Sequence, residues 1–481
     1  MLSSIIKKEL LENIVSYRLP LFFLICAVLI VSSLYVHELD YSKRLSDYSE
    51  QIRLADDALA SSRIWDIHFG TIPLKGFRPP SPLSIFASGF ETSLPRFYEF
   101  QPEGYKQGET PVGDQSVLSV FGKFDFVFII QMVVSLIVLL FASDVISGEK
   151  ELGTLRSILS NSVPRHNLLI GKLVGGYIAV WLPFVISFLL GLVLLAVTSF
   201  PLYDSRIAAR IAIIFLTGSL FILEYFTLGI MISASAARAR TALVAILLVW
   251  IFMQLVVPRL SDMVASVVHP IRSETVVSMQ RSSIAKAIDQ EKARILGRQY
   301  ESIFGKGAPL KTDLAPGADR DAWESFKTTT EQQYRARKTD QLRNLDQAFQ
   351  IERHNQQSIA SNLSLISPSA ALTRFITDIC GTGELDKEKY LDAVRSHQQT
   401  LDAALYSHVN KTTIEFPSGG SASSSSINGF VDLKTLPAFS IQRATLPEVI
   451  AGNLGSLISL AFWLIAPFAV AYVRFLRYDV R

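Results

Sequence analysis

Long stretches without charge constrain this chain more than anything else in it. Leu19–Val36, Phe126–Phe141, Leu173–Val197, Ile207–Ile232, Ala242–Val257 and Leu454–Val473 are apolar almost throughout, and only the fourth carries charged residues, Arg210 and Glu224. About 20 consecutive apolar residues match the thickness of a bilayer core, and a single segment crossing it must satisfy its own backbone as a helix. Composition agrees, with 49% of the 481 residues hydrophobic and only 19% charged. The expected fold is therefore all-α and polytopic, with six transmembrane helices. A net charge of +3 is uninformative about partners, because the charges segregate by compartment, and no feature points to nucleic acid.

The basic residues of the short connections give the orientation. Lys7, Lys8 and Arg18 flank the first stretch, and Lys150, Arg156, Arg165 and Lys172 lie between the second and third. Arg238 and Arg240 lie between the fourth and fifth, and Arg474, Arg477 and Arg481 follow the last. With six crossings all of these fall on one side, which the positive-inside bias makes cytoplasmic, together with both termini. The expected location is the plasma membrane, in a bacterium the inner one. The expected segments are an interfacial helix at 1–18, spans at 19–36, 124–142, 173–197, 207–232, 241–257 and 454–473, and a cytoplasmic tail at 474–481. A cytoplasmic segment at 143–172 and two extracytoplasmic regions, 37–123 and 258–453, complete the chain. In the N-terminal segment Leu2, Ile5, Ile6, Leu10, Ile14 and Tyr17 recur at helical spacing opposite Lys7, Lys8, Glu9 and Glu12, the pattern of a helix lying in the interface. A cleaved signal peptide competes for the first span, but Ser33-Leu34-Tyr35 is a poor cleavage site. Cys26 and Cys380 offer no disulfide framework.

Of the two outer regions, 37–123 is polar and mixed, and the larger one reads as mostly helical. Tyr41–Ala60 is a charged helical stretch, and Arg78-Pro79-Pro80-Ser81-Pro82 is a stiff turn. Ser261–Tyr300 and Asp321–Ser361, rich in helix formers and joined by Gly305–Gly317, suggest an antiparallel hairpin. Ser367-Pro368 caps a further helix that runs to about Ile379 and ends at Cys380-Gly381. Lys387–Asn410 is another helix, and Ser418–Ser426 is a Ser/Gly linker.

In the segment 143–172, Leu152, Leu155, Ile158 and Leu159 recur at helical spacing while Glu149, Lys150, Glu151 and Arg156 take the other directions. This predicts one amphipathic helix along the membrane surface, ended by Asn161-Ser162-Val163-Pro164. An ordinary loop held at the lipid surface would show the same pattern. The residue identities add more: Glu149-x-Glu151-x-Gly153-Thr154-Leu155, Ser160-Asn161-Ser162-Val163-Pro164-Arg165 and Gly171-Lys172 together resemble the cytoplasmic coupling segment of ABC-2-type transporter permeases. More narrowly, the chain resembles the large permeases that carry the DUF3526 region. Pro79-Pro80-Ser81-Pro82-Leu83-Ser84-Ile85 with Gly89, Phe121-Gly122-Lys123-Phe124-Asp125-Phe126, and Ser367-Pro368-Ser369-Ala370 with Gly381-Thr382-Gly383 look like the outer signatures of that group.

The resemblance implies the fold of an ABC-2, type V exporter-like permease with a large helical extracytoplasmic domain. It implies that this chain couples ATP hydrolysis by a separate ABC ATPase subunit to substrate movement. In that reading Glu149, Glu151, Thr154, Arg156 and Arg165 dock on the ATPase, while Gly153 and Pro164 shape the segment. A second permease subunit, identical or related, would complete the path, with membrane lipids around both.

The chemistry-bearing residues are consistent with a chain that is not itself an enzyme. No G-x-x-x-x-G-K-[ST] loop is present, because Gly171-Lys172 and Gly305-Lys306 lack both the preceding glycine and the following hydroxyl. ATP and magnesium are therefore expected in the partner, with no cofactor held here. The seven histidines form no metal-ligand pattern, and His397 and His408 read as surface positions. Charges in or near the spans carry an insertion cost of about 2.5–3.5 kcal/mol at mid-bilayer. Asp125 and Arg210 lie where they could reach headgroups, Asp144 could begin the turn into the coupling segment, and Glu224 lies deep in the fourth span. Glu224 reads either as a buried pair or hydrogen bond to a neighbouring helix, or as part of a translocation path; Asp125 and Asp144 are further intramembrane polar candidates. A mechanotransmitting scaffold linked to an ATPase, acting through its outer domain without transport, is the alternative function. A secondary transporter is disfavoured, because ionisable residues are few in the spans and no repeat is evident.

Overall fold

The structure, a computed structural model, describes residues 2–60, 73–101, 104–108, 124–160, 164–305, 317–409 and 437–477. The turn at 161–163, the signature residues 121–123, most of the Gly305–Gly317 joint and the Ser418–Ser426 linker lie outside these. The chain divides into two compact units, Met1–Pro258 with Ser364–Arg481, and Arg259–Leu363.

Six helices in the described residues are long and apolar enough to cross a membrane. In the first unit, helix α1 (Leu2–Val15) runs into α2 (Arg18–Ala60). At 43 residues α2 is ~65 Å long, about twice a bilayer core, so the apolar window and the charged stretch after it form one continuous helix. Phe22, Cys26, Ile30 and Leu34, one turn apart, form its buried stripe. The second crossing begins at α3 (Phe126–Phe128) and passes through a π-helical turn at Ile129–Val134 into α4 (Ser135–Ala142). Two short helices follow, α5 (Ser147–Glu151) and α6 (Thr154–Ser160). Helices α7 (Arg165–Val197) and α8 (Ser205–Ser235) are the third and fourth crossings. The fifth, α9 (Ala239–Ile251), continues through a second π-helical turn at Phe252–Val256 into α10 (Val257–Val268), which belongs to the second unit from Arg259 on.

Helix α8 is the axis of this unit. It is buried on almost every side between Thr217 and Ala234, which fits a segment that is apolar all round. The two π-helical turns meet beside it. A π turn shifts the backbone register by one residue, leaving a carbonyl for a side chain to use. Here Ser135 N–H bonds Ile130 O, and the Gln131 carbonyl instead accepts from Gln254 Nε2 at 2.7 Å. Gln254 also donates to the Tyr225 hydroxyl of α8 at 3.0 Å. Gln131, Gln254 and Tyr225 are thus bonded to each other rather than left facing lipid.

The rest of the first unit mixes helix with a small sheet. Strands β1 (Leu74–Phe77), β2 (Phe97–Gln101) and β3 (Gly104–Gln107) form an antiparallel sheet in that order. Leu74 pairs with Phe100, and Tyr98 pairs with Gln107. Its face carries Tyr98 and Phe100 into a separate core with Tyr390, Val394 and Leu401. Three strands of four or five residues carry little periodic signal, so the sequence reading of 37–123 as polar and mixed placed no strand there.

In the second unit, α11 (Glu274–Phe304) and α12 (Ala318–Ser364, whose last residue belongs to the first unit) form the antiparallel hairpin expected from their composition. Arg272 pairs with Glu352, Arg281 with Asp346 and Arg337 with Glu291, so partners advance along one helix as they recede along the other. The single helix expected from Ser261 is broken, because Pro270 has no N–H to continue α10, and Ser273 restarts the chain by accepting from Val276 N–H.

Helix α13 (Pro368–Cys380) follows, starting on Pro368 and ending at Gly381 with φ +68. Ser367 precedes it, but its hydroxyl donates to Met253 O rather than capping the helix. Helices α14 (Glu384–Val409), α15 (Leu446–Gly452) and α16 (Leu454–Leu476) complete the chain, α16 being the sixth crossing.

Candidate functional site

Helices α5 and α6 lie where the chain turns between its second and third crossings, and they depart from the expected single helix. Gly153 has φ +74, in the left-handed region that favours glycine, and its N–H bonds Lys150 O. The chain therefore changes direction between α5 and α6. The apolar residues separate as a result: Leu155 is fully buried, Ile158 is half-buried, and Leu152 stands 78% exposed.

Helix α5 is held at several points. The Ile146 and Ser147 N–H groups both donate to the Ser233 hydroxyl, at 3.1 and 3.0 Å, and that hydroxyl donates to Ser143 O. Orphan donors at the start of α5 are thereby satisfied by the end of α8. Lys150 Nζ donates to the Ala234 and Ala236 carbonyls, a cation at the negative end of the α8 dipole. Glu151 accepts from the Ala239 N–H at 3.0 Å, an anion at the positive end of α9.

The firmest link is ionic. Lys172, 2% exposed inside α7, lies 2.8 Å from a carboxylate oxygen of Glu149 and 2.8 Å from one of Glu9 in α1. One ammonium therefore joins α1, α5 and α7. Glycines make the approach possible: a Cβ on Gly171 would come within 2.6 Å of Ile5, and one on Gly175 within 2.8 Å of Glu9. A buried lysine is tolerated only with partners of this kind, since an unpaired ion costs several kcal/mol.

The sequence-derived site residues thus fall into two groups. Glu149 is a half-buried internal ligand of Lys172, and Arg165 donates to the Leu476 carbonyl at the end of α16. Thr154 and Arg156 are exposed, although the Thr154 hydroxyl also bonds Glu149 O, and Pro164 is the exposed residue that starts α7. Lys172, Glu9 and Ser233 have roles that sequence reasoning missed. The one available signal was a lysine beside a run of glycines in an apolar helix, which demands an acid nearby without saying which.

The other charged positions are also more committed than expected. Asp125 does not reach for headgroups: it caps α3 through the Phe128 N–H at 2.9 Å and accepts from both Ser88 N–H and Ser88 Oγ. Arg210 donates to the Ile379 and Ala444 carbonyls. Asp144 pairs with Arg18 at 2.7 Å, joining the start of α2 to the end of the second crossing. Glu224 is 1% exposed, and among the described residues neither of its carboxyl oxygens has a hydrogen-bond partner, so the expected buried pair is not formed. His397 packs between Phe100 and Phe439, with ring centres 4.6 and 5.3 Å away, and burial lowers its pKa.

Two sequence signatures some 300 residues apart meet at the other end of the unit. Ser81 Oγ donates to Cys380 O at 2.7 Å, and Thr382 Oγ1 donates to Ala87 O at 2.8 Å. A Cβ on Gly89 would lie 2.4 Å from Thr382 O, so this joint closes only around glycine. Nearby, Glu91 is held between Arg44 at 3.1 Å and Arg78 at 2.6 Å. Arg443 donates to Ser81 Oγ and to the Pro79 and Pro80 carbonyls. Burial lowers the Arg443 pKa and raises those of Asp378 and Asp386, each of which accepts hydrogen bonds from neighbouring segments.

Six helices able to cross a bilayer, with a strapped pair of short helices where the second crossing turns into the third, define a polytopic α-helical membrane protein. From residue 3 to residue 480 the sequence matches the family described as ABC-2 family transporter protein, and the chain belongs to that family. It is thus a membrane component of a transporter. No curated protein matches the sequence.

Proposed function

We propose that the chain is the permease subunit of an exporter driven by an ABC ATPase on a separate polypeptide, and that α5–α6 is where the force of ATP binding enters. The observation that carries this is the attachment of α5. Through Ser233, Lys150, Glu151 and Lys172 this one-turn helix is bonded to α8, α9, α7 and α1, while Leu152, Thr154 and Arg156 next to it face outward. A push on the outward face is transmitted to four helices without deforming the short segment itself. ATP changes the conformation only by binding one arrangement of the assembly better than the other.

In this reading a second permease subunit, identical or related, faces the first, and ATP with magnesium stays in the ATPase. The cationic connections and both termini lie in the cytoplasm of a cell whose plasma membrane holds the assembly. The resemblance of the segments around Pro79–Ile85 and Ser367–Gly383 to the outer signatures of DUF3526-type permeases supports a place in that narrower group. Docking falls to Leu152, Thr154 and Arg156, with Glu149 and Arg165 holding the segment in position.

The test is co-purification of the ATPase with a Leu152→Asp, Arg156→Glu variant. Exposed substitutions away from packed sites change stability by about 0.5 kcal/mol or less. The variant permease should keep its thermal unfolding midpoint and lose its ATPase. Normal ATPase stoichiometry in that variant would rule out α6 as the docking surface. The hairpin α11–α12, with its long helices, supports a second reading in which the outer unit transmits motion and nothing is transported. ATP-dependent loss of a reconstituted substrate from proteoliposomes separates the two.

A further inference from the structure

Glu224 is the only acid in α8, about 28 Å along the helix from its Ser205 end and about 16 Å from its Ser235 end. It is 1% exposed, and neither carboxyl oxygen has a hydrogen-bond partner among the described residues. Helices α4, α5, α7, α9, α13 and α16 pack against α8, and α4 brings no titratable residue. The groups of the others are engaged elsewhere. Lys172 pairs with Glu9 and Glu149, Tyr177 donates to Ser219 O, and Lys150 donates to the Ala234 and Ala236 carbonyls. Glu151 accepts from Ala239 N–H, while Asp378 accepts from Asn453 and lies in the field of Arg374. Arg165, His166, Arg240, Cys380, Tyr472 and Arg474 lie within two turns of a helix end. In α8 itself Arg206 is in the first turn, Arg210 holds the Ile379 and Ala444 carbonyls, and the Tyr225 hydroxyl accepts from Gln254. None of these groups forms an ion pair or hydrogen bond with the Glu224 carboxyl.

A carboxylate can only accept hydrogen bonds, and here it has no donor. The N–H groups around it are spent on the helix, and the Thr227 hydroxyl, one turn on, donates to the Glu224 backbone carbonyl. A carboxylic acid carries no charge and gains a donor. Donors on this helix find acceptors in its own carbonyls, as the hydroxyls of Thr217 and Ser235 do four residues back at Ile213 and Met231. An isolated buried charge is so costly that a carboxyl neutralises instead. We propose that Glu224 is a proton-binding site in the membrane core of the permease, occupied in this arrangement of α8. Ser233, which holds the start of α5, is about 14 Å further along the same helix. A ligand favours the conformation that binds it better, so the proton stabilises this dry arrangement, and a movement of α8 that admits water releases it. That last consequence rests on the function proposed above; the binding itself does not.

The experiment is infrared spectroscopy of the purified full-length permease in neutral detergent, at neutral and mildly alkaline pH. The wild-type protein should show the carbonyl stretch of an un-ionised carboxyl that Glu224→Gln lacks. Isotopically labelled glutamate should shift this band in the wild-type chain and labelled aspartate should leave it in place, a comparison that needs no folded variant. Glutamine supplies a neutral group of the same shape, so Glu224→Gln should match the wild-type thermal midpoint at neutral pH. As the pH is raised the variant's midpoint should fall by several degrees less, since only the wild type then gains an uncompensated buried charge at this position. A spectrum unchanged by both the variant and labelled glutamate would mean that Glu224 is ionised, which overturns the proposal. So would a band that appears only after sodium, potassium and divalent ions are exchanged for a large organic cation, since the site would then hold a metal ion. No ATPase is needed for these measurements, so their outcome is independent of the docking test.

Discussion

The two ends of the first unit solve the same problem with opposite charges. At one, a single buried cation, Lys172, sits between two acids; at the other, a single buried acid, Glu91, sits between two arginines. The chemistry of the cation sets them apart. Arginine presents rigid, directional donors, and Arg78 uses them on both the carboxylate and the backbone carbonyl of Glu91, while Arg443 reaches two further carbonyls. An ammonium is a compact charge on a flexible stem, with donors that turn to follow their partners. Glu149 also keeps one carboxylate oxygen that makes no hydrogen bond among the described residues. The arginine end is therefore a clamp and the lysine end a joint, consistent with movement entering at α5 and being resisted near Glu91.

The largest test of this contrast is Glu91→Gln, which leaves two mostly buried guanidinium groups without their counter-charge. Breaking a buried pair from one side costs about 3–5 kcal/mol, so thermal unfolding should fall steeply or insertion should fail. Any ATPase still bound to the surviving protein should turn over normally. A Glu91→Gln protein of wild-type stability would show that the clamp is not a clamp.

Lys172→Met comes next, at about 3 kcal/mol, near the lower end of that range because Glu149 is partly exposed. Here stability and coupling should fall together, since two acids then repel across the α1–α5–α7 joint. Adding Glu9→Gln and Glu149→Gln should restore much of the stability but not the transmission of force. If the triple variant regains full substrate-dependent ATPase activity, the ionic joint is structural filler.

Gly153→Ala should have the smallest effect. An added Cβ there meets nothing within 4 Å, so the cost is conformational alone, about 1–2 kcal/mol for a left-handed non-glycine residue. Gly153→Asn should be milder, because asparagine tolerates that region better. If alanine and asparagine behave alike, the turn between α5 and α6 has relaxed out of its left-handed form.

Much of the architecture was legible beforehand because its signals are local. Window length and absence of charge identify crossings wherever they occur, and Pro368 with Gly381 marks the two ends of α13. The candidate site was legible only as a location. Helical spacing of Leu152, Leu155 and Ile158 suggested one amphipathic helix, but the backbone conformation of Gly153 overrides a periodicity of so few residues. The docking role expected of Glu149 came from the resemblance of its segment to a coupling helix, which carries no information that its carboxylate pairs with Lys172, 23 residues on.

What the sequence determined alone is the number of crossings, the cationic character of the connections on one side and the family, because each depends on residues near one another in the chain or on the whole chain at once. Tertiary structure decided the rest. Glu9 and Lys172 are separated by 163 residues, and Ser81 and Cys380 by 299. A buried charge announces that it must have a partner, since desolvation is too costly otherwise. Several acids in this chain satisfy that demand equally well on paper, and only the packing of α1 against the glycines of α7 selects Glu9 and Glu149.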